Sequence, residues 1–363
     1  MSTARTVDRP GAAAPRAGRA AASTIAAVGA ARRRHLRRRR LAITGLAIAV
    51  IAGFTVTLMV GHTFYGLDEV VPAVLGADVP GASFTVAELR LPRATLAILV
   101  GFAFGIAGAT FQTMLGNPLA SPDILGVSSG AGAAAVFGIV VLGLGDGPAA
   151  AFALLGALAT AAAIFLLANR GGFVGTRFIL VGIGLAAMLQ SVTSYMVARA
   201  GEWDIQRAMQ WLTGSLNGAR GEQILTLAIA SAVLLPLLFA GSRSLELVRL
   251  GPDAATGLGV PVGRVRILMI AAAVALLAFA TASAGPVMFV AFMAGPIASR
   301  LAGPAGSALL PAGLTGALLV LLADLAGQNL LDGRYPVGVV TGVLGAPYLI
   351  LLLIRMNRRG QTA

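Results

Sequence analysis

The chain is 363 residues long, 57% hydrophobic and only 11% charged, with a mean hydropathy of +0.87. So few charged residues cannot cover the surface of a soluble fold of this length, and that class is excluded. Cysteine is absent and all 27 basic residues are arginine. Disulfides and thiolate chemistry are therefore excluded, as is ATP hydrolysis through a Walker A loop, which needs lysine.

Residues 1–40 hold eleven arginines against a single acid, Asp8, and carry most of the formal net charge of +13. A basic run can signal nucleic acid. Here it abuts an apolar span beginning at Leu41. That placement favours a disordered cytoplasmic tail, residues 1–40, lying against anionic membrane lipid, with no nucleic-acid partner. The stretch 41–60 is longer than most signal-peptide cores and lacks a clean small-x-small cleavage site. It reads as a retained first span, opening a membrane domain over residues 41–363.

Apolar stretches recur at 94–112, 124–143, 147–168, 178–198, 223–240, 267–284, 286–300, 305–325 and 337–354. Most approach the roughly 20 residues needed to cross a hydrocarbon layer about 30 Å thick. Backbone groups deprived of water must pair within the segment, which predicts helices. The alternation of a membrane barrel strand is missing. The fold class is therefore all-α, a polytopic membrane protein with about ten transmembrane helices. Gly285, Pro286, Gly295 and Pro296 interrupt the eighth span and predict that it is broken or tilted.

Arginine placement orients the chain with both termini inside. The inner loops and C-terminus then carry Arg170, Arg177, Arg243, Arg249, Arg264, Arg266, Arg300, Arg355, Arg358 and Arg359. Only Asp123, Glu246 and Asp253 oppose them, as the excess of cytoplasmic arginine requires.

Gly126-Val127-Ser128-Ser129-Gly130 matches the GxSxG turn of serine hydrolases. The only histidines, His35 and His62, fall in the tail and at the far end of span one, so small-residue packing is the better account. Two separated histidines without cysteine make no metal site. Asp324 is the clearest charge within a span, and Gln112, Gln190 and Gln328 are polar but uncharged. The competing class, a proton-coupled secondary transporter of a small organic solute, needs carboxylates near the midplane. Their scarcity favours energy supplied from outside the chain. Gly101 with Gly105, and Gly338 with Gly342, form GxxxG pairs suited to close helix packing. Between spans six and seven, Leu247, Leu250, Ala254 and Leu258 recur at helical spacing. A short amphipathic helix there suits either docking into a partner's groove or lying on lipid.

Arg90-Leu91-Pro92-Arg93 is followed by an apolar span, then Gly108-Ala109-Thr110-Phe111-Gln112, then Asn117-Pro118-Leu119-Ala120-Ser121-Pro122. Leu125-Gly126 with Ser129-Gly130-Ala131-Gly132 comes next. Farther on stand Leu250-Gly251 to Leu258-Gly259, Phe289-Val290-Ala291-Phe292 with Pro296 and Arg300, and Pro336-Val337-Gly338-Val339-Val340-Thr341-Gly342 with Gly345-Ala346-Pro347. In this order the segments resemble the FecCD-type permeases of iron-siderophore, haem and vitamin B12 ABC importers. The chain departs from that pattern at Gly116, Ile297 and Arg334, where a charged residue, a histidine or glutamine, and a glutamate are common.

The resemblance implies a type II ABC importer permease architecture and a transport subunit, not an enzyme, in the bacterial plasma (inner) membrane. It implies a second permease subunit, identical or different, across a central pathway. Separate ABC ATPase subunits would hold the ATP, and a periplasmic or lipoprotein solute-binding protein would deliver the cargo, an iron-siderophore or similar chelate. On the same implication Leu250, Gly251, Asp253, Ala254, Ala255, Leu258 and Gly259 form the ATPase-coupling loop. Arg90, Arg93 and Arg334 are the binding-protein docking residues, and Gln112, Asn117, Pro118, Gln190 and Pro296 are pathway candidates. The chain is expected to bind no cofactor and no metal.

Overall fold

The computed structural model describes residues 14–122, 126–168, 175–303, 306–330 and 333–360. Asp8, Asp123, Leu125 and Arg170, singled out above, lie outside them. In chain order the helices are α1 (Ala14–Met59), α2 (Leu67–Val74), α3 (Leu91–Leu115), α4 (Val127–Val136), α5 (Asp146–Ala168), α6 (Gly175–Ala198) and α7 (Glu202–Thr213). There follow α8 (Gly221–Val248), α9 (Pro252–Gly257), α10 (Val262–Ala284), α11 (Val290–Ala302), α12 (Leu309–Asn329) and α13 (Val337–Gly360). A π-helical stretch, Phe84–Arg90, leads into α3, and another, Phe137–Val141, extends α4.

Among the described residues eight helices are long and apolar enough to cross a membrane: α1 from Gly29, α3 with its π-helical lead, α5, α6, α8, α10, α12 and α13. Two shorter apolar helices, Val127–Val141 and Val290–Ala302, complete the set. All ten fall on the expected stretches in order. In the described part of the tail, α1 extends back to Ala14. Alanine and arginine are both strong helix formers, and no proline follows Pro15 before the first span ends.

The core is built on α3, α10 and α12, which are mostly buried, while α5, α6, α8 and α13 face outward over most of their length. Leu155, Leu166, Leu225, Val233 and Ile350 are among the large apolar side chains left exposed. An apolar perimeter of this extent is unfavourable in water and is the surface that lipid or a second subunit covers.

Glycine sets the central crossing. A Cβ added at Gly101 would lie 2.4 Å from the Gly316 carbonyl oxygen, and one at Gly105 would lie 2.2 Å from that of Ala312. Only glycine lets the α3 and α12 backbones approach this closely. Gly130 likewise sits against Thr160 and Gly156, so the GxSxG match marks the packing of α4 on α5. In the second GxxxG pair the crowding is uneven: Gly338 abuts the Thr213 carbonyl, whereas a Cβ at Gly342 would meet only the Met288 side chain at 3.4 Å.

The eighth span is broken before its helix. Residues 285–289 are not helical, Gly285 (φ 73°) and Phe289 (φ 64°) lie in the left-handed half of the map, and α11 begins at Val290. Thirteen residues rise only about 20 Å, so α11 alone does not cross a bilayer. Such irregular backbone needs partners within the protein. Close by, the Ser215 N–H donates to the Ala284 carbonyl (2.8 Å) and the Gly338 N–H to that of Gly214 (3.1 Å). Pro296 sits inside α11 without ending it.

Candidate functional site

α3 joins two ends of the bundle: Arg93 lies in its first turn and Gln112 in its last, about 28 Å apart at 1.5 Å per residue. At the Arg93 end lies a cavity of about 540 Å³ whose walls include Thr57, His62, Thr63, Arg90, Arg93, Asn217, Asp324, Gln328, Asn329 and Arg334. All three arginines expected to dock a partner therefore meet around one cavity.

Their chemistry differs. The Arg93 guanidinium is forked onto Asp324, Nε donating to Oδ2 and Nη2 to Oδ1, each at 2.7 Å. Its Nη1 donates to Asn217 Oδ1. The Asp324 carboxylate is 1% exposed. A buried carboxylate needs this kind of paired, planar partner, and arginine supplies it where lysine would not. Arg90 donates to the carbonyls of Leu58 (2.8 Å), Met59 (2.9 Å) and Thr63 (2.7 Å). It closes the last turn of α1, whose end carbonyls have no helical donors, and its guanidinium stands 5.2 Å from the Tyr65 ring centre. Arg334 is exposed and makes no hydrogen bond or ion pair among the described residues.

At the opposite end, Gln112, Thr113, Gly116, Pro118, Arg249, Gly295, Pro296 and Ser299 line a pocket of about 290 Å³. Gln112 Nε2 donates to the Phe292 carbonyl at 3.0 Å, and its Oε1 occupies the space a side chain at Gly295 would need. Asn117 Oδ1 accepts from the Leu119 N–H at 2.9 Å, a local turn that shapes the loop after α3. Gln190 is apart from these, exposed on α6.

α9 belongs to this end and packs on α8 and α10. Pro252 occupies its first turn, and Gly251 (φ 105°) and Gly259 (φ 83°) make the turns on either side. Leu250 and Leu258 are 65% and 62% exposed, with Asp253 and Ala254 also exposed. Ala255 is fully buried against its own chain. It does not share the exposed face expected of it: Ala254 does, and Ala255 lies one residue, about 100°, around the helix.

The sequence profile of the FecCD transport family matches residues 48–355. The chain belongs to the FecCD transport family. It is 39% identical over 332 residues to the ferric enterobactin transport system permease protein FepG of Escherichia coli (strain K12), covering 88% of this chain and 98% of that one. It is 38% identical over 315 residues to the achromobactin transport system permease protein CbrC of Dickeya dadantii (strain 3937), covering 85% and 90%. A metal-chelate type ABC transporter solved in an inward-facing conformation superposes with a TM-score of 0.75 at 26% identity, covering 87% of this chain and 99% of the other. This FecCD chain is thus a multi-pass membrane transport permease.

In this FecCD permease the sequence singled out the three arginines that line the cavity, but not the side chains that hold them. Asp324 and Asn217 are the missed members of the Arg93 cluster. The signal for the first was its being the clearest carboxylate within a span; nothing in the local sequence marks Asn217. Among the described residues no group of three or more His, Asp or Glu side chains is placed to hold a metal ion.

Proposed function

We propose that this permease imports a ferric siderophore or a closely similar iron chelate across the bacterial plasma membrane, with both of its termini in the cytoplasm. A separate ABC ATPase binds at the α9 end, and a solute-binding protein docks at the Arg93 end with Arg334 as its free cation. A second permease subunit covers the outward faces of α6 and α13.

The observation that carries this reading is the placement of α9. A short helix flanked by two exposed leucines, Leu250 and Leu258, and packed on two membrane helices stands at the end opposite the arginine-lined cavity. Force applied to α9 reaches α8 and α10 directly, so a partner's closure can be passed to the spans. The names of the relatives support the cargo class, since FepG and CbrC are both named for siderophores. A proton-coupled mechanism has little to work with. Asp324 is the one buried acid among the described residues, and both of its oxygens are held by Arg93.

Reconstitution tests the proposal. Proteoliposomes holding the permease and its ATPase, supplied with the binding protein, should accumulate ferric chelate only with ATP. Uptake by the permease alone under a proton gradient would replace this reading with the secondary-transporter one.

A further inference from the structure

α1 carries one stripe made of two kinds of surface. Arg34, Arg37 and Arg38 are followed at helical spacing by Leu41, Ala42 and Gly45. Together with Leu46 and Leu301 of α11 they line a groove of about 590 Å³. Its basic half ends where its apolar half begins, at the start of the first span.

The groove is fixed. Arg38 donates through Nε to the Leu301 carbonyl at 3.2 Å and through Nη2 to that of Arg300, tying α1 to the last turn of α11. Arg39 donates to the Ser307 carbonyl at 2.8 Å. Arg34 and Arg37 are exposed and make no hydrogen bond or ion pair among the described residues. Leu301 is exposed as the groove's far wall, and a Cβ added at Gly45 would meet nothing within 4 Å, so the apolar half is open space.

We propose that this groove is a binding site for one anionic phospholipid, the phosphate held by Arg34 and Arg37 and an acyl chain lying over Gly45 between α1 and Leu301. Charge complementarity selects the occupant. Two uncommitted guanidiniums at the membrane–water boundary call for a phosphate, and the apolar trough continuing from them into the bilayer calls for the chain attached to it. The lipid lies against the very residues that tie α1 to α11, so its presence stiffens that joint.

Native mass spectrometry of the full-length purified permease, titrated with phosphatidylglycerol or phosphatidylcholine, tests this. The wild type should hold one phosphatidylglycerol in preference to phosphatidylcholine. Arg34→Gln with Arg37→Gln should weaken phosphatidylglycerol binding by about thirtyfold, two charges at the value typical beside an anionic headgroup. Gly45→Leu, at a position where a Cβ meets nothing within 4 Å, fills the trough and should lose the tight lipid while leaving thermal unfolding in lipid-free detergent unchanged. Arg32→Gln with Arg33→Gln, equally basic but outside the groove, should keep it. Equal binding of the two lipids, an unaffected Gly45→Leu variant, or an equal loss in the Arg32/Arg33 control would overturn the proposal. Unchanged lipid binding in Arg34→Gln/Arg37→Gln with poorer recovery of the ATPase would also overturn it, and would make the groove a protein contact.

Discussion

Arg93 and Asp324 lie 231 residues apart in sequence and are joined by two parallel hydrogen bonds of 2.7 Å. The pair ties the first turn of α3 to the far end of α12, the same two helices that Gly101 and Gly105 bring together at their crossing. A carboxylate left alone in this position would be an uncompensated buried charge. Arg93→Ala should therefore lower stability by about 3–5 kcal/mol, read as thermal unfolding of the purified permease. Arg93→Leu combined with Asp324→Leu should recover most of that loss. Additive losses in the double variant would mean that the pair contributes nothing specific.

Arg334 gives the cleaner docking test, because it lines the same cavity without holding the fold together. Arg334→Glu should weaken binding-protein affinity at low salt by about tenfold with unchanged unfolding temperature, and the effect should shrink as salt screens the contact. Surface-plasmon measurements against the purified binding protein would show it. An affinity equal to wild type at every ionic strength would remove Arg334 from the docking surface.

Gly105→Leu should abolish recovery of folded permease from the membrane, since the added atoms meet backbone that cannot rotate away. Gly147→Ala, in the first turn of α5 with open space around it, should be recovered like wild type. Equal yields for the two variants would mean that the α3–α12 crossing is looser than 2.2 Å of clearance allows.

Much of this fold was legible in the sequence because membrane spans announce themselves. Apolar runs such as 267–284 and 337–354 need no partner to be recognised, and they coincide with α10 and α13. The GxxxG spacing at Gly101 and Gly105 predicted close packing but not the partner, since the facing glycines on α12 lie more than 200 positions away. The site was legible in its residue types more than in its contacts. Arg90 and Arg93 read as a matched outward pair, yet one caps α1 and the other neutralises Asp324. The spacing of Leu247, Leu250, Ala254 and Leu258 defines one face, and Ala255, which is buried, falls off it. The helices α2 and α7 left no span-like signal, being eight and twelve residues long and amphipathic.

Cysteine is absent, so orientation can be read directly. Asp253→Cys, on α9, should react with a membrane-impermeant maleimide only after the cells are opened. Asn329→Cys, at the Arg93 end, should react in intact cells. The opposite pattern would invert the topology and move both docking assignments to the other face.

In the proposed mechanism α9 passes the ATPase's motion to the spans. Ala254 is exposed on its outer face, so Ala254→Arg places a bulky charge in the partner contact without entering the permease core. A charge buried there without a partner costs several kcal/mol. The direct measurement is ATPase activity and ATPase retention in the reconstituted complex. Ala254→Arg should insert and unfold like wild type, yet retain less than about a tenth of the ATPase and show no transport. A variant that keeps its ATPase, its stimulated hydrolysis and full chelate uptake would leave α9 a helix lying on lipid and contradict the coupling mechanism.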